Sequence, residues 1–325
     1  MTQTLTHKPE ASAPVPAPAA PVRGRRRRTS TLARRDNRAG IVLVGPTTII
    51  IAAIFVVPVL WNLVLAFQES TFTSVATDGI FSPLTLDNFT EVLTDGGFWS
   101  SLWTTIVYSV FSTGGSIALG LVAALAFRKP FRGRGVARSL MLLPYVAPVV
   151  AVAFVWQIIL NPQFGIVNTI GQQLLGWDRP IDFLGREPYA LITVIAFEIW
   201  RYFPFAFIFI TARMVSLPKE IEEASLVDGV TPTQNFRHIV FPQLLPVISL
   251  LVVLRLILTF NKFDDVFLLT GGGAGTEVSA VRVYETLLGT FDIGAAAANA
   301  FVLSAILAVA LFIYVKFFVS KEQED

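Results

Sequence analysis

Residues 217–246 read LPKEIEEASLVDGVTPTQNFRHIVFPQLLP, a polar segment between an apolar segment that ends at Val215 and another that reaches Phe260. Pro218 suits the first turn of a helix, because its missing N–H would have no intrahelical partner there. Glutamates follow in the first turns, where carboxylates meet the positive end of the helix dipole. Gly229 then supplies a left-handed helix end. An ordered, capped polar segment at this place predicts a surface that is presented to a partner.

A second helix is predicted to start directly after this glycine. Thr231 and Gln234 form a capping box around Pro232, which again suits a first helical position. Pro242 and Pro246 are expected to mark the return of the chain to the membrane. We therefore predict two short helices lying under the bilayer, although an ordinary amphipathic connector would show the same residue pattern.

The composition predicts an all-α, polytopic membrane protein. Apolar residues make up 54% of the chain and charged residues only 15%, against roughly one quarter charged in soluble domains. The apolar residues form separate blocks, most of them at least about 20 residues long, the length that spans a bilayer. Backbone polar groups must be paired inside lipid, so each block is expected to be a helix. The six predicted spans are Ile41–Phe67, Leu102–Phe127, Leu140–Leu160, Tyr189–Val215, Leu244–Phe260 and Ala295–Phe318.

The basic residues predict the orientation. Arginines are dense before the first span, and the link 128–138 carries five Lys or Arg residues, whereas residues 68–101 contain none. Cytoplasmic loops carry the excess of Lys and Arg. The pattern predicts that both termini and the links 128–138 and 216–243 lie in the cytoplasm. We expect the protein to be located in the cytoplasmic (inner) membrane.

The chain is predicted to have two parts. Residues 1–40 are basic and rich in Pro and Ala, a composition that cannot bury a core, so we expect a disordered cytoplasmic tail near the lipid rather than a nucleic-acid-binding segment. Residues 41–325 are expected to form the transmembrane domain, with its core at about 102–320.

The sequence offers no catalytic motif. No lysine directly follows a glycine, so the chain has no Walker A phosphate-binding loop. His7 and His238 are far apart in sequence and do not suggest a metal pair, and the chain has no cysteine. We expect no metal, no cofactor and no enzymatic activity in this chain.

Two motifs carry a resemblance to a known family. The first consists of Glu223-Ala224-Ser225 and Asp228-Gly229, followed by Ile239, Pro242 and Pro246. It resembles the EAA loop of binding-protein-dependent ABC importer permeases, in which that loop is the coupling helix that docks on the ATPase. The resemblance implies that Glu223, Ala224, Ser225, Asp228 and Gly229 couple this chain to an ATPase and that the fold is that of a type I importer permease.

The second motif narrows the resemblance. Residues 263–273 read FDDVFLLTGGG, and 294–297 read GAAA. This pair is similar to carbohydrate permeases of the maltose and glycerol-3-phosphate type, although Ala274 stands where those permeases usually have proline. The resemblance implies import of a sugar by alternating access. It also implies a second permease subunit, two cytoplasmic ATP-binding subunits and an extracytoplasmic solute-binding protein.

Ionisable residues inside predicted spans normally face a cavity or a partner. Glu198 and Arg201 lie three residues apart and are within reach of each other on one helix face. Arg255, Thr259 and Lys262 recur at helical spacing on the next span. Sugars are bound by polar groups and by aromatic faces. Alignment with the maltose permease implies that the sugar is contacted by Trp200, Tyr202, Phe205, Arg255, Thr259 and Lys262. The structural alternatives are an internal ion pair, packing of the aromatic rings and a lysine that reaches the interface.

Two alternatives for the function remain open at this stage. An importer of a polyamine or osmolyte would keep the EAA loop but lack the LTGGG segment. A secondary transporter would be expected to show internal repeats or buried acidic proton relays.

Overall fold

The computed structural model describes residues 31–218, 229–314 and 316, and within these ranges the regular structure is helical, with no strand. The first helix, α1, spans Thr31–Ala66. The boundary between two compact units falls inside it, after Val57. The side-chain contacts described below lie in the second unit, Pro58–Asp325. The predicted tail lies for the most part outside the described residues, and its disorder stays a prediction.

Eleven further helices follow α1 in the described ranges. In chain order they are α2 (Phe72–Asp78), α3 (Asp87–Thr94), α4 (Gly96–Ala126), α5 (Arg134–Val146), α6 (Val149–Ile159), α7 (Ile166–Leu174), α8 (Tyr189–Val215), α9 (Pro232–Phe260), α10 (Asp264–Thr270), α11 (Ser279–Leu288) and α12 (Ile293–Tyr314).

Five of the described helices are long and apolar enough to cross a membrane: α1 from Val42, α4, α8, α9 and α12. The number is six if α5 and α6 together form one span, and these two helices meet at a bend of 96°. The predicted all-α membrane architecture is confirmed. The single straight helix predicted for Leu140–Leu160 is wrong, because Ala147 is extended (φ −64°, ψ 143°). A residue before proline is driven out of the helical region, and Pro148 follows it.

The region after Gly229 confirms part of the predicted coupling segment and corrects another part. Gly229 has φ +73°, and the capping box is present, with the Thr231 N–H donating to Gln234 Oε1 at 3.0 Å. The helix that starts there, however, does not stop at Pro242 or Pro246. It continues as α9 to Phe260, so the predicted short helix and the predicted fifth span are one element.

A π turn over Phe236–Val240 explains why the prolines do not break α9. The Phe241 N–H donates to the Phe236 carbonyl, five residues back rather than four. Proline breaks an α-helix because it lacks an N–H and its ring clashes with the carbonyl four residues earlier. A wider turn just before Pro242 relieves both constraints, and such turns occur within otherwise regular helices.

Close packing of α4 on α8 fixes the position of the central helices. A Cβ atom on Gly120 of α4 would lie 2.9 Å from the Phe203 carbonyl oxygen and 2.9 Å from the Phe207 nitrogen on α8. Small residues allow membrane helices to approach this closely. The same core includes Leu244 and Leu251 of α9, both buried. As a result α8 and α9 face each other with little freedom to rotate.

The helix α10 is held against α6 by a side-chain contact. The Gln157 amide of α6 donates to the Leu268 carbonyl at 2.7 Å. Gly271, at φ +64°, ends α10 in the left-handed conformation that glycine adopts without strain. The first turn of α10 lies next to the middle of α8 and the end of α9.

Candidate solute-binding site

A buried ion pair joins α8 to α9. Arg255 Nη2 donates to Glu198 Oε1 at 2.6 Å, and the two residues are 2% and 0% exposed. Thr259 Oγ1 donates to the same carboxylate oxygen at 3.4 Å. The pair of Glu198 with Arg201 that the sequence spacing suggested is wrong. Glu198 points across the helix interface to Arg255 of α9.

Lys262 connects the end of α9 to α8 and α10. Its Nζ donates to the Tyr202 hydroxyl at 2.5 Å and lies 3.1 Å from Asp264 Oδ1 and 3.6 Å from Asp265 Oδ2. The side chain of Lys262 is only 15% exposed. The lysine therefore does not extend into bulk solvent, and its charge is balanced inside the protein.

Three cations converge on the ring of Tyr202. Arg255 Cζ lies 4.1 Å from the ring centroid, Lys262 Nζ 4.7 Å and Arg201 Cζ 5.6 Å. Each distance is within the range in which a cation is attracted to the negative face of an aromatic ring. Tyr202 is thus the centre of the cluster, and it is half-buried.

Asp265 is a member of this cluster that sequence reasoning missed. It is fully buried, and neither of its carboxylate oxygens has a hydrogen-bond donor among the described residues. Burial, followed by the adjacent carboxyl of Glu198, raises the pKa of Asp265 to about 9. At neutral pH it therefore holds a proton, and the closer Asp264 balances the charge of Lys262. Two acids at the start of α10 look like ordinary residues at a helix N-terminus, so their local pattern does not indicate that Asp265 is buried.

The structure brings together four of the six residues predicted to contact solute: Tyr202, Arg255, Thr259 and Lys262. The other two lie beside them in aromatic contacts. The ring centroids of Trp200 and Trp156 are 5.5 Å apart, and those of Phe205 and Tyr145 are 5.9 Å apart. Tyr145 also contacts Tyr202, at 5.9 Å. The role of each residue in binding a solute stays a prediction.

Four of the predicted coupling residues, Glu223, Ala224, Ser225 and Asp228, lie outside the described residues. The fifth, Gly229, is exposed at the start of the turn that leads into α9. Within the described ranges, no group of three His, Cys, Asp or Glu residues is arranged to hold a metal ion.

A second charged cluster lies away from this site, where α3, α4 and α11 meet. Asp95 accepts a hydrogen bond from the Gly97 N–H at 2.8 Å and is paired with Arg282, which also contacts Glu277 at 3.1 Å. The bond from Gly97 and the charge of Arg282 lower the pKa of the Asp95 carboxyl. These side chains are 26–36% exposed, so water screens them.

The chain was compared with known proteins. The family model described as "Binding-protein-dependent transport system inner membrane component" matches residues 116–320. The chain is 34% identical over 283 residues to the inner membrane ABC transporter permease protein YcjO of Escherichia coli K12, which covers 84% of this chain and 92% of that protein. It is 29% identical over 275 residues to the trehalose/maltose transport system permease protein MalF of Thermococcus litoralis, and this match covers 82% of this chain and 90% of that protein.

A solved structure has the same fold. The crystal structure of a bacterial ABC transporter involved in the import of the acidic polysaccharide alginate contains a chain that matches with a TM-score of 0.73 at 23% identity. The match covers 89% of this chain and all of the other.

The helical spans and the buried polar cluster define a multi-pass membrane transport protein. The chain belongs to the family of binding-protein-dependent transport system inner membrane components, the permease subunits of ABC importers.

Proposed function

We propose that this chain is one membrane subunit of an ABC importer that carries a sugar or sugar derivative into the cell. The observation that carries the proposal is the family match over 116–320 together with curated relatives named for trehalose/maltose and sn-glycerol-3-phosphate transport. The buried polar cluster with a reachable aromatic ring is the chemistry that a sugar needs, because hydroxyl groups require hydrogen-bond partners and a sugar's C–H face packs on an aromatic ring.

The partners follow from membership of this family. A second, similar permease would complete the solute pathway, two cytoplasmic subunits would bind and hydrolyse ATP, and an extracytoplasmic solute-binding protein would deliver the sugar. This chain would perform no chemistry and need no cofactor. The excess of basic residues before α1 and in the link 128–138 supports cytoplasmic termini.

The structure of α9 supports a mechanism for coupling. The capping box at Thr231 and the ion-paired Arg255 lie on one continuous helix, so the two points are joined by a rod of about 35 Å at 1.5 Å per residue. A push on the segment 217–242 by the ATPase would move Arg255, and with it Glu198 of α8. The buried cluster would thus change shape when ATP binds, which is what alternating access requires.

Tyr202 and Lys262 are placed to meet the solute, with Phe205 and Trp200 beside them. Arg255 and Thr259 already bind Glu198, so their part in the site is to hold α8 and α9 in register and to keep Tyr202 in position.

A pair of glycine variants tests the coupling role. Gly229 and Gly176 have nearly the same left-handed conformation, φ +73° and +70°, and a Cβ on either meets no atom within 4 Å. Gly229→Val and Gly176→Val therefore have the same local backbone cost. In proteoliposomes that contain the complete complex, the binding protein and ATP, we expect Gly229→Val to lower sugar uptake per ATP hydrolysed several-fold. Gly176→Val is expected to leave this ratio unchanged.

Two results would contradict the proposal. Equal coupling ratios in the two variants would remove the coupling role of the turn at Gly229. Uptake of putrescine or glycine betaine by the wild-type complex, without uptake of any sugar, would replace the sugar with another solute class.

A further inference from the structure

One buried cation of the cluster, Arg201, has no carboxylate partner among the described residues. Arg255 is paired with Glu198, and Lys262 is paired with Asp264 and lies near Asp265. Arg201 has no such partner: its Nε and Nη1 atoms are buried and find no hydrogen-bond acceptor among the described residues. Among the described residues of this cluster, Arg201 contacts the face of Tyr202.

The charge of Arg201 cannot be removed by loss of a proton, because an arginine stays protonated in proteins. A buried charge without a partner is strongly unfavourable. The carboxylates inside the cluster do not supply the partner. Glu198 gives Oε1 to Arg255, and neither its Oε2 nor either oxygen of Asp265 accepts a hydrogen bond from Arg201.

Arg201 is also the most accessible of the three buried charged residues on α8 and α9. It is 8% exposed, against 2% for Arg255 and 0% for Glu198. It adjoins Tyr202, whose half-buried ring lies beside Tyr145. A ligand that packs on this ring therefore brings its substituents close to the guanidinium of Arg201.

We propose that Arg201 binds the negative charge of the solute, so that the transported sugar carries a carboxylate or a phosphate group. This inference rests on the proposed function. The planar guanidinium can donate two parallel N–H···O bonds to such a group, and its Nε and Nη1 have no hydrogen-bond acceptor among the described residues. The sugar ring packs on Tyr202 while the anion neutralises Arg201.

The test compares charged and neutral sugars of the same size. The probes are D-glucuronate and glucose 6-phosphate, with D-glucose as the neutral member, each presented to the purified complete complex. The measured quantity is the apparent Kd from the thermal shift of the complex. In the wild type we expect at least one charged probe to bind more tightly than glucose.

The variants assign that preference to Arg201. Arg201→Met is expected to weaken binding of the preferred charged probe by about tenfold or more, the loss of a hydrogen bond to a charged group. Arg201→Lys is expected to recover part of the affinity, and glucose binding is expected to change little in either variant. Arg186→Gln, which removes one exposed positive charge just before α8 begins, is the matched control and is expected to match the wild type.

Each other outcome overturns the inference in a recognisable way. Tighter binding of glucose than of both charged probes, or an unchanged preference in Arg201→Met, removes the anion site but leaves sugar import intact. Loss of the second permease subunit from purified Arg201→Met, with the sugar preference unchanged, assigns the missing anion to that subunit. Failure of every sugar to bind the wild type counts against the proposed function as well.

Discussion

The two charged clusters use the same residue types and differ in their access to water. Glu198 and Arg255 between α8 and α9 are 0% and 2% exposed, whereas Asp95 and Arg282 between α4 and α11 keep 36% and 26% of their side-chain surface. Exposed ion pairs contribute at most about 1 kcal/mol. Loss of one member of a buried pair costs roughly 3–5 kcal/mol, because the other charge is left without compensation. An Arg–carboxylate ion pair therefore contributes little to stability at the exposed cluster, whereas the buried pair constrains the positions of α8 and α9.

The largest expected effect comes from Arg255→Met. It leaves Glu198 buried without a cation, so we expect a loss of roughly 3–5 kcal/mol and little assembled complex in detergent, measured by size-exclusion chromatography and thermal unfolding. The double variant Glu198→Gln with Arg255→Met removes both charges and is expected to recover assembly but not sugar uptake. Normal assembly of the single variant would show that the buried pair does not hold α8 to α9.

An intermediate effect is expected from Asp265→Asn, which copies the protonated carboxyl. The folded pKa of Asp265 is raised from 3.8 to about 9. Between these two pH values the folded state keeps a proton that the unfolded state releases. The contribution of this proton to the free energy of unfolding is therefore complete below pH 3.8 and is lost as the pH rises toward 9. Thermal unfolding of the complex between pH 5 and 9 is expected to show this slope in the wild type and a smaller slope in Asp265→Asn. Equal slopes would mean that Asp265 is ionised at neutral pH.

The smallest effect is expected from Arg282→Gln in the exposed cluster between α4 and α11. We expect a loss of about 1 kcal/mol or less, which disappears at high salt because exposed charges are screened. Thermal unfolding at low and high salt measures it. A loss as large as that of Arg255→Met would erase the distinction between the two clusters.

Local signals in the sequence were read correctly, because the residues that produce them are neighbours. The left-handed Gly229 and the capping box of Thr231 and Gln234 are found as predicted. Most of the spans are also predicted correctly, because a long apolar block is a run of neighbouring residues. The break at Ala147 was missed because hydropathy is continuous across it, although Pro148 is the signal that predicts it.

The candidate site was predicted only in part, because its contacts join distant parts of the chain. Helical spacing puts Arg201 within reach of Glu198, but Glu198 pairs with Arg255 on the neighbouring helix instead. Asp265 entered the cluster through the contact of Gln157 with α10. Contacts between distant parts of the chain such as these cannot be predicted from the local pattern of residues.

The π turn at Phe236–Val240 sets the direction in which the Thr231 end of α9 faces. It contains one residue more than an α-helical turn, and each residue of an α-helix corresponds to a rotation of about 100°. Deleting one residue there would swing the Thr231 end around the axis while Arg255 stays in place. A single additional residue thus sets the direction of the Thr231 end relative to Arg255, and insertions or deletions in this short stretch should be far more harmful than substitutions.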